Sequence, residues 1–265
     1  TGAQFLRITM SARASSLGEC FTGLSDDLSA LEFNPAGLGL IVGSELSTSY
    51  LHYFEGVKMG DVKFAHSTKR FTWAIRYQML TAEDTERDDR GNRIKDFPVR
   101  GSATTIGVSF PVGVIRSGAS FKLISQRIFD EKDITFAFDF GFLLSLPRWK
   151  ERWGISLQNV GGAIKMGEEE DPLPMILRAG GSQEVGSFVF LWEIYKPRKT
   201  RFRPGFGIEY RPSPSLSVRA GVGWEDDIEV TSGLGFQWGK LFLDYAFLPH
   251  LYLGLTHRLS LGVKF

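Results

Sequence analysis

Tyr252-Leu253-Gly254-Leu255-Thr256-His257-Arg258-Leu259-Ser260-Leu261-Gly262-Val263-Lys264-Phe265 is the stretch that decides the fold. Leu253, Leu255, Leu259, Leu261, Val263 and Phe265 fall on one side. Gly254, Thr256, Arg258, Ser260, Gly262 and Lys264 fall on the other. A period of two belongs to a strand with one oily and one wet face. By itself the pattern fits a half-buried edge strand as well as a wall strand of a membrane barrel.

Working outward, the same alternation recurs from Ser44 onward. Phe71, Trp73, Ile75, Tyr77 and Met79 alternate with Thr72, Ala74, Arg76 and Gln78. Ile134, Phe136, Phe138, Phe140 and Phe142 alternate with Thr135, Ala137, Asp139 and Gly141, and Leu216, Val218, Ala220, Val222 and Trp224 with Ser217, Arg219, Gly221 and Gly223. The reading gives strands at 44–54, 57–66, 70–80, 99–111, 114–127, 133–147, 152–162, 173–184, 187–196, 201–212, 216–225, 228–238, 240–248 and 252–265. That is about fourteen, each close to or above the roughly 9–11 residues with which a tilted strand crosses a bilayer.

Composition narrows the class. The charges balance to +1, without the basic excess expected of a nucleic-acid partner. No apolar run approaches the roughly 18 residues of a transmembrane helix, which leaves a barrel open. The 30 glycines and 22 phenylalanines suit strands with a crowded inner wall. Cys20 is the sole cysteine, so no intrachain disulfide forms, and core packing is its expected role. No signal peptide is read; the sequence opens on Thr1, and a removed leader is expected.

A soluble sandwich or a lipocalin-like barrel also alternates. Three features favour oily side chains pointing outward. The opposite face mixes Gly, Ser, Arg and Glu, which suits a wet or plugged lumen. Tyr50, Trp73, Trp153, Trp192, Tyr210, Trp224, Trp238 and Tyr245 are available for interfacial girdles. Finally, connections after even-numbered strands all read as tight. The two long ones, 81–98 and 163–172, both follow odd-numbered strands, as a barrel with both termini at one end requires.

Residues 1–43 differ. Ser11 to Ser25 is rich in Ala, Ser and Gly. Asp26 is the expected N-cap of a short helix through Leu28-Ser29-Ala30-Leu31, and Asn34-Pro35-Ala36-Gly37 is expected to stop it, with Gly37 permitting a left-handed exit. The set Gly2-Ala3-Gln4-Phe5-Leu6, Ser11-Ala12-Arg13-Ala14, Leu17-Gly18-Glu19, Asp26-Asp27 and Asn34-Pro35-Ala36-Gly37-Leu38 resembles the opening of the PorV/PorQ family of outer-membrane proteins, associated with type IX secretion. Its Asp-Asp to Asn-Pro-Ala-Gly-Leu part also looks like the hatch of the FadL family of hydrophobic-compound transporters. Both families are fourteen-stranded barrels.

The resemblance covers about forty residues and implies an N-terminal plug over 1–43 in a transmembrane antiparallel β-barrel over 44–265, in the outer membrane of a Gram-negative-type bacterium. Arg13, Gly18, Asp26, Asp27, Asn34, Pro35, Ala36 and Gly37 are then the structural plug motif. Asp26 and Asp27 are expected to pair with lumen arginines such as Arg76, Arg203 or Arg219, and Arg13 with Glu209 or Glu225. Leu261, Val263 and the terminal Phe265 look like the signal read by the outer-membrane barrel assembly machinery. The favoured role is a non-enzymatic, PorV/PorQ-like partner in protein secretion or surface attachment, docking other proteins through loops and rim in a membrane complex. The alternative is a FadL-like channel for fatty acids or other hydrophobic compounds, with an apolar pocket and a strand kink for which Pro204 and glycines are candidates. The short outer loops argue against an elaborate ligand funnel.

No catalytic, cofactor or metal site is read. His52, His66, His250 and His257 lack metal-ligand spacing, and His257, on the oily face, is expected near an interface or protein contact. Glu168-Glu169-Glu170-Asp171 is expected to be solvated loop charge rather than a calcium site. Segment 82–96, of mixed sign, reads as a mobile or partner-docking loop. Gly221-Gly223 and Gly233-Gly235 are wall glycines that admit close backbone approach, not a nucleotide motif, and the serines lack an organised His/Asp set.

Overall fold

The computed structural model describes residues 1–53, 56–88, 90, 92–198, 200–224, 227–250 and 254–265. Of the residues expected in strands or as ion partners, Phe54, Glu225, Tyr252 and Leu253 lie outside these. The alternating segments form strands β1 (Ser44–His52), β2 (Lys58–Ser67), β3 (Thr72–Arg87), β4 (Arg93–Val112), β5 (Ile115–Ile128), β6 (Glu131–Leu146) and β7 (Glu151–Gly161). A short hairpin, β8 (Ala163–Met166) and β9 (Glu169–Pro172), precedes β10 (Ile176–Val185), β11 (Phe188–Pro197), β12 (Arg203–Ser213), β13 (Leu216–Trp224), β14 (Ile228–Trp238), β15 (Leu241–His250) and β16 (Gly254–Lys264).

Fourteen of these strands close an antiparallel barrel in which each pairs with its neighbour in sequence, β10 following β7 in the wall. The seam is β1 against β16, in register from Glu45↔Lys264 to His52↔His257. Beyond it the Ser44 N–H donates to the Phe265 carbonyl at 2.7 Å and the Phe265 N–H to the Ser44 carbonyl at 2.9 Å. Closure matters because a strand edge in hydrocarbon would strand its backbone polar groups without partners.

The oily faces point outward. Along β6, Phe136, Phe138, Phe140 and Phe142 are exposed while Ala137 and Asp139 are buried. On β16, Leu255, Leu259 and Leu261 are exposed while Thr256, Arg258 and Ser260 are buried. A soluble barrel would place these sets the other way round, so the reversal marks an apolar exterior of the transmembrane type. Among the described residues no helix is long and apolar enough to cross a membrane. Outer aromatic pairs brace neighbouring strands: Trp153 meets Trp192 edge-on at 5.3 Å, and Phe188 stacks on Tyr210 at 4.7 Å. His257 is also outside, 2.6 Å from the Tyr245 hydroxyl.

In the wall, two expectations need correction. Segment 82–96 is largely strand, because β3 and β4 stay paired out to Arg87↔Arg93. Its charged sequence hid this, since a hairpin in water needs backbone pairing but no oily face. Across it the Thr85 hydroxyl donates to the Asp96 carboxylate at 2.8 Å. Segment 163–172 is likewise the β8–β9 hairpin rather than an open loop.

In the N-terminal segment, the helix lies at Ala30–Phe33, two residues later than read, with Ser29 rather than Asp26 at its N-cap position. Asp27 accepts from the Ser29 N–H at 2.8 Å, and Asp26 is engaged elsewhere. Gly37 is not left-handed. The helix ends on an extended Asn34, at φ −154°, and a 3-10 turn follows over Pro35–Leu40.

Candidate functional site inside the barrel

The first 43 residues run inside the wall, and short side chains let them do so. Ser11 caps a four-residue helix, Ala12–Ser15, by accepting from the Ala14 N–H at 3.2 Å. The Ala12 N–H donates to the Ser260 hydroxyl of β16, and the Gly18 N–H to the Thr231 hydroxyl of β14, each at 3.0 Å. Gly18 is left-handed, at φ +66°, and presses on Gly221, where an added Cβ would sit 2.0 Å from the Gly18 nitrogen.

Asn34 ties the segment to the opposite wall. Its side-chain oxygen accepts from the Ala36 N–H, and its amide donates to the carbonyls of Thr22 at 3.1 Å and Phe142 at 3.0 Å. Pro35 and Ala36 lie directly against Gly118, where a Cβ would be 2.3 Å from the backbone of both. Gly37 is packed on Ser25 in the same manner.

Four clusters of buried charge join this segment to the wall. In the first, Arg13 Nη1 lies 2.7 Å from Asp26 and 2.8 Å from Asp27, and its Nε 3.1 Å from Glu209 of β12. Glu209 also receives Arg219 at 2.6 Å and Arg211 at 2.5 Å, and Arg219 reaches Asp244. In the second, Glu32 accepts from Lys63 at 2.7 Å and from the Met10 N–H at 2.8 Å, with Arg76 at 3.6 Å. Asp61 lies between the same two cations, 3.0 Å from Lys63 and 2.9 Å from Arg76.

In the third cluster, Glu193 of β11 accepts from the Phe21 and Thr22 N–H groups at 2.9 and 2.8 Å and pairs with Arg178 at 2.7 Å. The Arg178 guanidinium is sandwiched by Phe33 at 4.7 Å and Tyr195 at 4.2 Å. In the fourth, Glu19 pairs with Arg203 at 3.1 Å and lies 4.0 Å from Arg258.

Taking these charges out of water is costly, and the return comes from close, multiply hydrogen-bonded pairing. For Glu32 and Asp27, burial opposes ionisation. Arg76 and Lys63 outweigh it at Glu32, holding that carboxyl down at about 2, and Arg13 and Ser29 hold Asp27 below its usual range. Burial pushes the Cys20 thiol up.

The expected residues are thus partly regrouped. Asp26 and Asp27 meet Arg13 of their own segment, and Asp26 also faces Arg152 at 3.5 Å. Arg76, Arg203 and Arg219 pair instead with Glu32, Glu19 and Glu209 respectively. Leu261, Val263 and Phe265 line the outer side of the closing strand. The reading from residues quoted Glu19 in the N-terminal motif without a partner and missed Glu32, Asp61, Lys63, Arg178 and Glu193. For Asp61, Lys63, Arg178 and Glu193 the signal was charge at inward strand positions between oily neighbours, as in Asp61-Val62-Lys63-Phe64.

Space remains at both ends of the barrel. At the end away from Ser44 the inward side chains Leu51, Met59, Ala103, Ile124 and Ala137 pack closely with Phe5 and Met10 of the N-terminal segment, forming the apolar floor of a chamber. Pairing of β6 with β7 stops at Ala137↔Gly161, and from there β8 turns inward to bury Ile164 against the chamber. The chamber itself is a cavity of about 330 Å³, lined by Phe5, Leu80, Val99, Ile128, Ile164 and Met166, with Arg100, Gln126, Glu169 and Asp171 on its polar side. At the opposite end a polar vestibule of about 620 Å³ opens beside Arg13, Asp26, Asp27, Glu209 and Arg219. Among the described residues no group of three His, Cys, Asp or Glu is placed to hold a metal.

Residues 2–122 match the family model described as Uncharacterised protein family (UPF0164). No curated protein matches the chain. In fold the barrel is similar to the TodX monoaromatic hydrocarbon channel deltaS2 mutant, with TM-score 0.76, 10% identity, 96% of this chain covered and 98% of that one. The P. putida toluene transporter TodX gives TM-score 0.72 and 11% identity over 95% of this chain and 97% of that one. The Acinetobacter baumannii outer membrane protein Omp33 gives 0.53 and 11% over 86% and 100%. The likeness is one of architecture: a closed fourteen-stranded barrel of the outer-membrane type.

Arg13→Ala leaves Asp26, Asp27 and Glu209 short of a cation. It is expected to destabilise the protein by about 3–5 kcal/mol, the usual cost of removing one partner of a buried pair. The urea midpoint of the detergent-folded barrel measures this.

Acid is expected to loosen the segment as well. Glu32 has its carboxyl lowered from 4.5 to about 2 by folding, so its contribution is complete above about pH 4.5 and disappears as pH falls through about 2. The urea midpoint should drop across that window, and Glu32→Gln should flatten the drop.

Proposed function

We propose that this protein is a non-enzymatic outer-membrane β-barrel of a Gram-negative-type bacterium, closed by residues 1–43 acting as a plug, that takes small hydrophobic compounds into its apolar chamber. The observation that carries the reading is the chamber itself. A water-filled pore lines its lumen with polar groups, yet here Leu51, Met59, Ala103, Ile124 and Ala137 point inward beside a cavity of about 330 Å³. The similarity in fold to a monoaromatic hydrocarbon channel supports it. The irregularity in the wall lies elsewhere than at the expected Pro204 kink. Pro204 faces Ile194 in an unbroken register, whereas the β6–β7 register shifts between Phe138 and Phe140, next to the β8–β9 hairpin.

In this reading Arg13, Gly18, Asp26, Asp27 and Asn34 to Gly37 hold the plug, while Leu261, Val263 and Phe265 address the chain to the assembly machinery. A second reading, a PorV/PorQ-like docking partner in secretion, draws on the charged β3–β4 hairpin, whose residues Glu83, Asp84, Arg93 and Lys95 present no oily face. It predicts a stoichiometric protein partner after mild extraction, lost when 83–97 is shortened to a turn.

Calorimetry with toluene on the barrel held in amphipol, corrected for empty amphipol, separates the two. The hydrophobic-compound reading expects saturable binding that Leu80→Trp, by filling the chamber, weakens at least about tenfold, or about 1.4 kcal/mol. Absence of saturable toluene binding together with a stoichiometric protein partner decides for docking.

A further inference from the structure

Beside the polar vestibule at the Ser44 end, a cavity of about 360 Å³ lies between the N-terminal segment and strands β5, β6, β7 and β10 to β12. Two arginines line it from inward wall positions, Arg116 at the start of β5 and Arg152 at the start of β7. Ser145 of β6 stands between them. It is opposite Arg152 in the β6–β7 register, and its hydroxyl accepts from Arg116 Nη1 at 3.1 Å. Three polar heads from three consecutive strands thus share one wall of the cavity.

Their charge is unlike that of the other lumen arginines. Arg13, Arg178 and Arg219 each have a carboxylate at 3.1 Å or less. Arg116 has no carboxylate partner among the described residues; its Nε donates to the Gly39 carbonyl at 3.2 Å. Arg152 uses only Nη1, which meets the Leu24 carbonyl at 3.4 Å and Asp26 at 3.5 Å, and Asp26 is already held by Arg13 at 2.7 Å. Nη2 of Arg116 and both Nε and Nη2 of Arg152 are left without a partner among the described residues, and none of these atoms is enclosed. Arg152 keeps 31% of its side chain exposed. Other charges on the cavity are committed: Glu184 lies 3.6 Å from Lys150, and Arg211 2.5 Å from Glu209. Glu151 lines it too, but from the strand face it shares with the exposed Trp153.

Accessible, uncommitted N–H donors on two cations suit an anion. A carboxylate is satisfied by one guanidinium fork. Two guanidiniums and a serine hydroxyl converge instead on a group with three or more oxygens and more than one charge. The lining faces the lumen and not lipid, so the anion enters from solution rather than as the headgroup of a bilayer lipid. The volume admits a phosphate with a small body attached.

We propose that this mouth of the barrel binds a phosphate group, free or carried by a small soluble ester, held by Arg116, Arg152 and Ser145. The site shares no residue with the apolar chamber and lies at the other end of the lumen, so it stands or falls apart from what the chamber takes. No covalent chemistry is involved.

The test is calorimetry of the full chain in dodecyl maltoside, a neutral detergent, with inorganic phosphate, glycerol phosphate and acetate at one ionic strength set with sodium chloride. Saturable phosphate binding is expected. Arg116→Gln and Arg152→Gln should each weaken it at least about tenfold, the scale of one lost charge-assisted contact. Arg148→Gln removes the same charge from the exposed β6–β7 turn outside the cavity and should leave binding within about twofold. Mobility on unheated gels shows that each variant is folded; should Arg152→Gln not fold, Arg116→Gln carries the test. Tighter binding of glycerol phosphate than of inorganic phosphate identifies an ester as the occupant, and the reverse identifies the free ion; either supports the site. Absence of saturable binding of both overturns the proposal. So does acetate binding as tight as that of phosphate, a loss in Arg148→Gln equal to that in Arg116→Gln, or affinity that the folded variants leave unchanged.

Discussion

Neutralisation of charge inside a closed wall is the constraint on which the rest depends. The N-terminal segment buries Leu17, Phe21, Leu24, Leu28, Leu31, Phe33 and Leu38 in apolar clusters, but such packing is non-directional, and much of its contact with the wall is through serines, glycines and backbone. What fixes its position is that Arg13, Glu19 and Glu32 each find partners on particular strands. A shift of one residue would leave several charges unpaired in a low-dielectric interior, a larger penalty than their correct pairing returns. The network therefore specifies one arrangement more than it adds stability.

The wall is shaped to the same end. Gly118, Gly154 and Gly221 stand where backbone of the segment touches the strands, and Gly141 where the Asn34 side chain does, and each would drive a Cβ to within 2.3 Å of an atom of the segment. Phenylalanine and leucine on the outer face do the opposite work, covering the barrel in side chains that lipid solvates. At the end away from Ser44 the inner wall becomes apolar, and there the structure leaves room for ligands.

The fourteen strands were legible because a period of two survives wherever one face meets lipid and the other meets the segment. Strand ends beyond that zone were not, as the charged tips of β3 and β4 show: pairing there rests on the backbone alone. In the segment, Arg13 and Asn34 stood out by type and setting, and Glu209 followed as an inward carboxylate. Glu32 and Glu193 did not, because their partners lie on strands distant in sequence, and no local spacing records that. Asp26 read as a helix cap only because its competing partner, Arg13, was out of view.

Cys20 offers the most direct test of the claim that buried ion pairs hold the segment in the lumen. It is the sole cysteine, it is buried against the segment's own core, and burial suppresses its thiolate. The rate of maleimide reaction in the folded barrel at neutral pH should be far below that of the urea-unfolded chain, and should rise in Arg13→Ala while the wall stays folded. Rapid labelling of the unaltered, folded barrel would contradict the account.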